Sequence, residues 1–189
     1  MSSMARTYFH ELYEGDADPW EFATSGYEQR KYSLTTASLP RAHYTSVFEP
    51  GCSIGVLTER LAPRCDRILA TDIVPAALEE ARQRLRDQPQ VVTEARAIPE
   101  EWPEGTFDLI VLSEIAYYFD EPDLGRILSL VVGSTEPGAH LVGVHWRGET
   151  NYPLSGDRAH RIIDATPQLT RLVHHLEDDF ILEVWTRTE

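Results

Sequence analysis

The stretch Glu49-Pro50-Gly51-Cys52-Ser53-Ile54-Gly55 sets an acid and two glycines between an apolar run and a helix-like segment. In a strand-turn-helix unit the ligand sits beyond the carboxyl end of the strand, and glycine lets the backbone come close to it. A dinucleotide fingerprint requires G-x-G-x-x-G. Here Gly51-x-Ser53-x-Gly55 has Val56 in the third glycine's place, which argues against nicotinamide. Glu49, two positions before the first glycine, suits a ligand that carries a free ammonium. Asp72 lies 21 residues after Gly51, at the end of the next strand-like run. A carboxylate there either accepts the hydroxyl protons of a ribose or caps the helix that Pro75 opens. An ammonium and a ribose on one ligand describe S-adenosylmethionine. Ile73, beside Asp72, and the loop Ala97-Ile98-Pro99 then offer an apolar wall and a backbone N–H to its adenine.

Those loops need strands and helices to hold them. Tyr44 to Glu49 predicts a first strand and Val56 to Ala62 a helix. Arg67 to Ile73 predicts a second strand. Pro75 stands at a first helical position, where its missing N–H costs nothing. The helix that follows puts Ala77, Leu78, Ala81 and Leu85 on one face. Gln90 to Ala95 and Phe107 to Ser113 predict two more strands, the latter nearly continuous in apolar residues, as in a strand covered on both faces. Pro122 opens another helix, expected to end near Pro137-Gly138, before a strand from His140 to Trp146. Gly156 to Ala165 is helical. Leu169 to Leu176 and Phe180 to Trp185 predict a hairpin across Glu177-Asp178-Asp179. The pattern is α/β, a Rossmann-like doubly wound parallel sheet with an antiparallel strand at the end. Residues 1–43 instead predict two helices, around Arg6 to Tyr13 and from about Tyr27, with Asp18-Pro19-Trp20 as a turn between them. Ser25 and Glu28 have capping-box spacing. This segment is either a lid over the ligand edge or packing on the flank of a single core domain at 44–189.

Composition narrows the partners. Asp and Glu number 31 against 17 Lys and Arg, a net charge of -14, so a nucleic-acid partner is not expected. Arg82, Arg84 and Arg86 read as a solvated helix face. No apolar run reaches the roughly 18 residues of a membrane span. The first residues lack the apolar block of a secretion signal. A cytoplasmic protein is expected, with Cys52 and Cys65 as free thiols and no metal site.

Taken together, the motifs resemble a class I S-adenosylmethionine-dependent methyltransferase, and within that superfamily the NodS-type nodulation N-methyltransferases. The resemblance runs over nearly the whole chain. It rests on Asp18-Pro19-Trp20, Tyr27-Glu28 with Lys31-Tyr32, the Glu49 to Gly55 loop, Phe107-Asp108-Leu109-Ile110, Ser113-Glu114 with Tyr117-Tyr118, and His145-Trp146-Arg147. It implies a seven-stranded sheet with a reversed last strand, S-adenosylmethionine as cofactor and S-adenosylhomocysteine as product. It also implies N-methylation of a free amine on a small molecule such as an amino sugar or oligosaccharide. The adenine loop departs from the common pattern, with Ala97 where many class I enzymes have an acid.

Methyl transfer needs an uncharged nucleophile about 3 Å from the methyl carbon. Ser113 and Glu114 end the fourth strand, where the methyl group should point. Glu114 is the candidate to orient the amine and attract it while cationic, with Tyr117 or Tyr118 as pocket wall or, otherwise, as core. His145 and Trp146 end the fifth strand. His145 is either a proton acceptor, since imidazole titrates near neutrality, or a ring satisfied by nearby backbone. His160 and Asp157, one turn apart, either line the cleft or sit on a solvated face. Lys31 or Arg30 could pair with the cofactor's carboxylate, and Trp20 could close over it. The competing functions are a small-molecule O-methyltransferase, with His145 deprotonating a hydroxyl, and a non-catalytic regulator that binds S-adenosylmethionine or S-adenosylhomocysteine.

Overall fold

A computed structural model describes residues 2–16 and 18–189. The chain divides into two compact units, Ala5–Ala97 and Ile98–Glu189, the second including the N-terminal residues up to Met4.

The first unit carries helices α1 (Arg6–Tyr13) and α2 (Gly26–Ser38), then β1 (Val47–Pro50), α3 (Val56–Leu61), β2 (Ile68–Asp72), α4 (Pro75–Arg84) and β3 (Val91–Ala95). Its strands lie in the order β3-β2-β1, all parallel. The first strand is shorter than its apolar run: Tyr44 makes only an isolated bridge to Cys65. Pro75 starts α4 as expected, and Ala77, Leu78, Ala81 and Leu85 are buried. The capping box does not form. Ser25 is the N-cap of α2 but its side chain makes no cap hydrogen bond, and the Glu28 carboxylate turns to Lys31, 2.8 Å away.

The second unit carries β4 (Phe107–Ser113), a 3-10 turn (Ala116–Tyr118), α5 (Glu121–Gly133), β5 (Thr135–Trp146), α6 (Gly156–Asp164), β6 (Leu169–Leu176) and β7 (Phe180–Arg187). Its strand order is β4-β5-β7-β6. β4 and β5 are parallel, while β7 runs antiparallel to both β5 and β6. That is the reversed last strand, and Glu177–Asp179 form the hairpin turn expected for it. Asp120 caps α5 by accepting from the Asp123 N–H at 3.0 Å. The helix ends at Gly133, earlier than Pro137-Gly138, which fall inside β5. The pairing explains this. Phe107 is opposite Thr135 but Leu109 is opposite His140, so the intervening β5 residues bulge out. Gly138, at φ 91°, supplies the bulge's left-handed residue and the proline costs no ladder bond there. Among the described residues, no helix is long and apolar enough to cross a membrane.

Candidate functional site

In the first unit the glycine loop is pinned from below. The Gly51 and Cys52 N–H groups both donate to the Thr71 carbonyl of β2, at 2.7 and 2.9 Å. Three residues of the loop have positive φ: Gly51 (73°), Ser53 (50°) and Gly55 (77°). A side chain at Gly55 would also press on α4, since its Cβ would lie 3.0 Å from Leu85 Cδ1. The second glycine thus serves the packing of the loop onto α4.

Asp72 joins the loops after β1 and β2. One carboxylate oxygen accepts the Ser53 N–H at 2.9 Å and the other accepts the Val74 N–H at 3.0 Å. Asp72 does not cap α4, whose N-cap is Val74 with no side-chain cap bond; it organises the turn ahead of that helix and ties it to the glycine loop. Burial pushes its pKa up, against the pull of backbone N–H donors. A carboxylate in that condition gains from further donors such as ribose hydroxyls. Glu49, almost wholly buried, accepts the Thr58 hydroxyl at 2.7 Å. Burial lifts its pKa to about 7, and the Thr58 bond opposes the lift. An acid so placed is primed to take a cationic group as counter-charge. Both acids fit the charge pattern of S-adenosylmethionine, with its ammonium and ribose.

The N-terminal segment reaches the same loop through α1. Tyr13 of α1 shares a hydrogen bond of 2.5 Å with the Ser53 hydroxyl. Burial, then the Asp72 charge, push its phenol well up, so it stays neutral. Trp20 packs edge-on against Tyr13, centroids 5.6 Å apart, and stacks on Phe22. Asp18 holds that turn by accepting the Phe22 and Ala23 N–H groups. Lys31 is buried in α2, its ammonium on Glu28 and 4.9 Å above the Tyr27 ring. Its charge is thus already met by Glu28 and the Tyr27 ring, while Arg30 is exposed. Ile73 follows Asp72 directly. Ala97 is buried at the end of the unit, where the Arg96 N–H donates to the Asp72 carbonyl at 3.1 Å.

The second unit gathers the other candidates. Ile98 opens it and Ser113 ends β4. Glu114, just beyond, has φ 57°, a left-handed conformation strained for a residue with a Cβ. Its N–H donates to the Val144 carbonyl at 2.8 Å, which fixes the backbone. Its Oε2 accepts the Tyr117 hydroxyl at 2.5 Å and the Trp146 N–H at 2.9 Å. Tyr117, Tyr118 and Tyr152 pack mutually, with centroids 4.7 to 5.1 Å apart. Burial, followed by the Glu114 charge, pushes the Tyr117 phenol up, which keeps it a donor. The Trp146 ring is exposed.

The structure buries both His145, the candidate proton acceptor, and His160, the candidate cleft or solvated-face residue. His145 is fully buried, and its Nε2 accepts the Ala116 N–H at 3.0 Å. The lone pair a proton acceptor would use is engaged by backbone. His160 neither lines a cleft nor faces solvent. It is buried, with Nε2 2.9 Å from His145 Nδ1 and Nδ1 2.7 Å from Glu183 Oε2. Asp157 instead pairs with Arg147 at 2.9 Å. Among the described residues no cluster of three or more His, Cys, Asp or Glu is arranged to hold a metal.

Tyr13 and Thr58 in the first unit, and Tyr152 and Glu183 in the second, touch the glycine loop or the candidate residues without having been singled out in the sequence. Thr58 was open to detection, since a hydroxyl one turn into the helix after the glycine loop can reach back to the strand end. Tyr13, Tyr152 and Glu183 arrive from remote segments with no local signal.

The family model described as Nodulation protein S (NodS) matches residues 8–134. Nodulation protein S of Sinorhizobium fredii is 33% identical over 129 residues, covering 66% of this chain and 59% of its own length. The chain spans 59% and 53% of two of the curated relatives it matches, a little over half their length. The solved N-methyltransferase NodS from Bradyrhizobium japonicum WM9, in complex with S-adenosylhomocysteine, is 26% identical. It superposes with a TM-score of 0.86 over 97% of this chain and 98% of its own. A solved Pseudomonas syringae protein is 41% identical with a TM-score of 0.77, over 86% of this chain and all of its own. The Rossmann-like, seven-stranded α/β fold is therefore that of the NodS structures. With the family model matching well over half of its length, this chain belongs to the nodulation protein S family.

Proposed function

We propose that the protein is an S-adenosylmethionine-dependent N-methyltransferase acting on a free amine of a small molecule, such as an amino sugar, an oligosaccharide or an amine-bearing metabolite. The observation that carries the reading is Glu114. It is a carboxylate on a left-handed backbone, braced by the Tyr117 hydroxyl and the Trp146 N–H beside three packed tyrosine rings. A carboxylate near aromatic faces favours an ammonium by charge and by cation–π attraction. A neutral hydroxyl acceptor would gain a hydrogen bond from that carboxylate but not the attraction of charge and ring faces for a cation.

In this reading Glu49 takes the cofactor's ammonium and Asp72 its ribose hydroxyls. Gly51 and Gly55 shape the loop between them, Ile73, Ala97 and Ile98 border the adenine, and Trp20 closes over the ligand from the Tyr13 side. Lys31 is left out, because its ammonium rests on Glu28. When bound, the cofactor supplies a sulfonium-borne methyl carbon open to attack by a neutral amine. Glu114 draws in the cationic amine and orients it, Tyr118 borders it while Ser113 serves the cofactor, and the proton the amine sheds passes to water. The reading carries a cytoplasmic setting, which the two buried free thiols support.

The test is a panel of amines, amino sugars and matched hydroxyl compounds, assayed for S-adenosylhomocysteine release and for product mass. Turnover is expected with amines, with methyl on nitrogen. Methyl transfer confined to hydroxyl compounds would make the protein an O-methyltransferase. Tight cofactor binding without turnover on any member would favour a regulator.

A further inference from the structure

The second unit contains a buried hydrogen-bonded chain that the reaction above does not use. It starts at the Ala116 N–H, passes through His145 of β5 and His160 of α6, and ends on Glu183 of β7. None of these three side-chain-bearing residues is more than 2% exposed. Donor chemistry fixes its direction. A backbone N–H can only donate, so His145 Nε2 accepts and the ring proton lies on Nδ1. That proton points at His160 Nε2, which accepts, so His160 carries its proton on Nδ1 and gives it to Glu183. Glu183 Oε1 accepts in turn from His174 Nδ1 at 2.5 Å and from Arg171 at 2.7 Å. Burial would raise the Glu183 pKa, but the donors from His160 and His174 and the Arg171 charge hold it below the ordinary range. It remains an anion that anchors the chain.

The fold is shaped around this chain. Gly143 and His145 lie on one face of β5, opposite Glu183 and Ile181 of β7. A Cβ at Gly143 would lie 3.3 Å from the His160 ring and 3.1 Å from Trp185. A Cβ at Gly156, one turn before His160 on α6, would lie 2.4 Å from the Trp146 carbonyl. Two absent side chains thus let α6 press onto β5 and bring the imidazoles together. At the other end, the Ala116 N–H belongs to the turn that presents Tyr117 to Glu114, and the Tyr117 carbonyl accepts the Leu154 N–H at 3.2 Å.

We propose that His145, His160 and Glu183 are positioning residues: a buried strut that holds the turn at residues 114–118 in the conformation that points Tyr117 at Glu114. His145 acts through the Ala116 amide and takes no proton from the substrate. The titratable groups facing it are His160, Tyr117 and, through them, Glu183 and Glu114. The kinetic arm of the test rests on the methyltransferase reading; the spectroscopic arm does not.

The first measurement is 15N NMR of the histidine rings from pH 5.5 to 8.5, with exchange of the Ala116 amide. His145 is expected in the Nδ1–H tautomer throughout, with Nε2 shifted as a hydrogen-bond acceptor. The Ala116 amide should be protected in wild type and in His145→Gln, whose side-chain oxygen replaces Nε2. In His145→Leu it should exchange at least tenfold faster. A His145 ring that titrates near neutrality, or an Ala116 amide indifferent to His145→Leu, overturns the proposal. In turnover, His145→Leu should raise the KM for the amine at least tenfold with S-adenosylhomocysteine affinity unchanged, and His145→Gln should restore it to within threefold with the wild-type pH profile. If His145→Gln folds and binds S-adenosylhomocysteine yet is as slow as His145→Leu and loses the acidic limb, His145 is a base and the strut is wrong. Should His145→Leu not fold, His160→Leu, which can neither accept from His145 nor donate to Glu183, takes its place with the same expectations. A wild type that methylates no amine fails the proposed function, and the NMR arm still decides the strut.

Discussion

Glu114→Gln is expected to lower kcat/KM for the amine by about 100-fold, or ~2.7 kcal/mol, while leaving S-adenosylhomocysteine affinity within twofold. The amide is isosteric with the carboxylate, and its oxygen can still accept from the Tyr117 hydroxyl and the Trp146 N–H that brace the wild-type Oε2. The left-handed backbone at residue 114 is equally strained in both proteins. What changes is the charge that meets an ammonium, so the loss should appear on amines and scale with their basicity. Steady-state kinetics over amines of graded pKa read this out. Rates within twofold of wild type would remove Glu114 from the reaction.

Glu49→Gln separates affinity from stability. The folded-state pKa of Glu49 is about 7, raised by burial from 4.5, so between those values the folded protein holds a proton the unfolded chain has lost. By linkage the residue's contribution falls as pH climbs through that window, by about 3 kcal/mol in all. Glutamine cannot ionise and keeps an oxygen for Thr58, so the variant should gain on wild type as pH goes from 5 to 8 in urea titrations. Binding runs the opposite way. The ligand's ammonium prefers the carboxylate, so wild-type affinity for S-adenosylhomocysteine should rise from pH 5 to 7 and level off above. The variant should bind at least 30-fold more weakly at pH 8, with a flat profile. A wild-type profile without that rise would take the ammonium away from Glu49.

Much of the sheet and its helices was legible because the signals are local. The bounds of β4 and β6 match the apolar runs that announce them, and Pro75 opens α4 where proline is tolerated. The glycine loop was readable by spacing alone. β5 was read short, because proline and glycine usually end an element and only the pairing partner shows that they occupy a bulge. Ser25 and Glu28 have the spacing of a capping box, but Lys31 offers Glu28 a buried charge, a stronger partner than a backbone N–H. His145 was correctly placed at a strand end, yet its role depended on what faces each ring nitrogen. Those partners, Ala116 and His160, lie 29 and 15 residues away along the chain, and Glu183 lies 23 beyond His160. Tyr152 joins Tyr117 and Tyr118 across a loop of no periodicity, so no pattern could announce it.

The central claim is that the glycine loop and Asp72 grip a thioether nucleoside. Calorimetric titration of S-adenosylhomocysteine into wild type and into Asp72→Ala at pH 7.5, with NAD as the control ligand, tests it most directly. Micromolar or tighter binding to wild type, at least tenfold weaker binding to Asp72→Ala and no heat from NAD are predicted. Equal affinity of the two proteins for S-adenosylhomocysteine, or binding of NAD in its place, would contradict it.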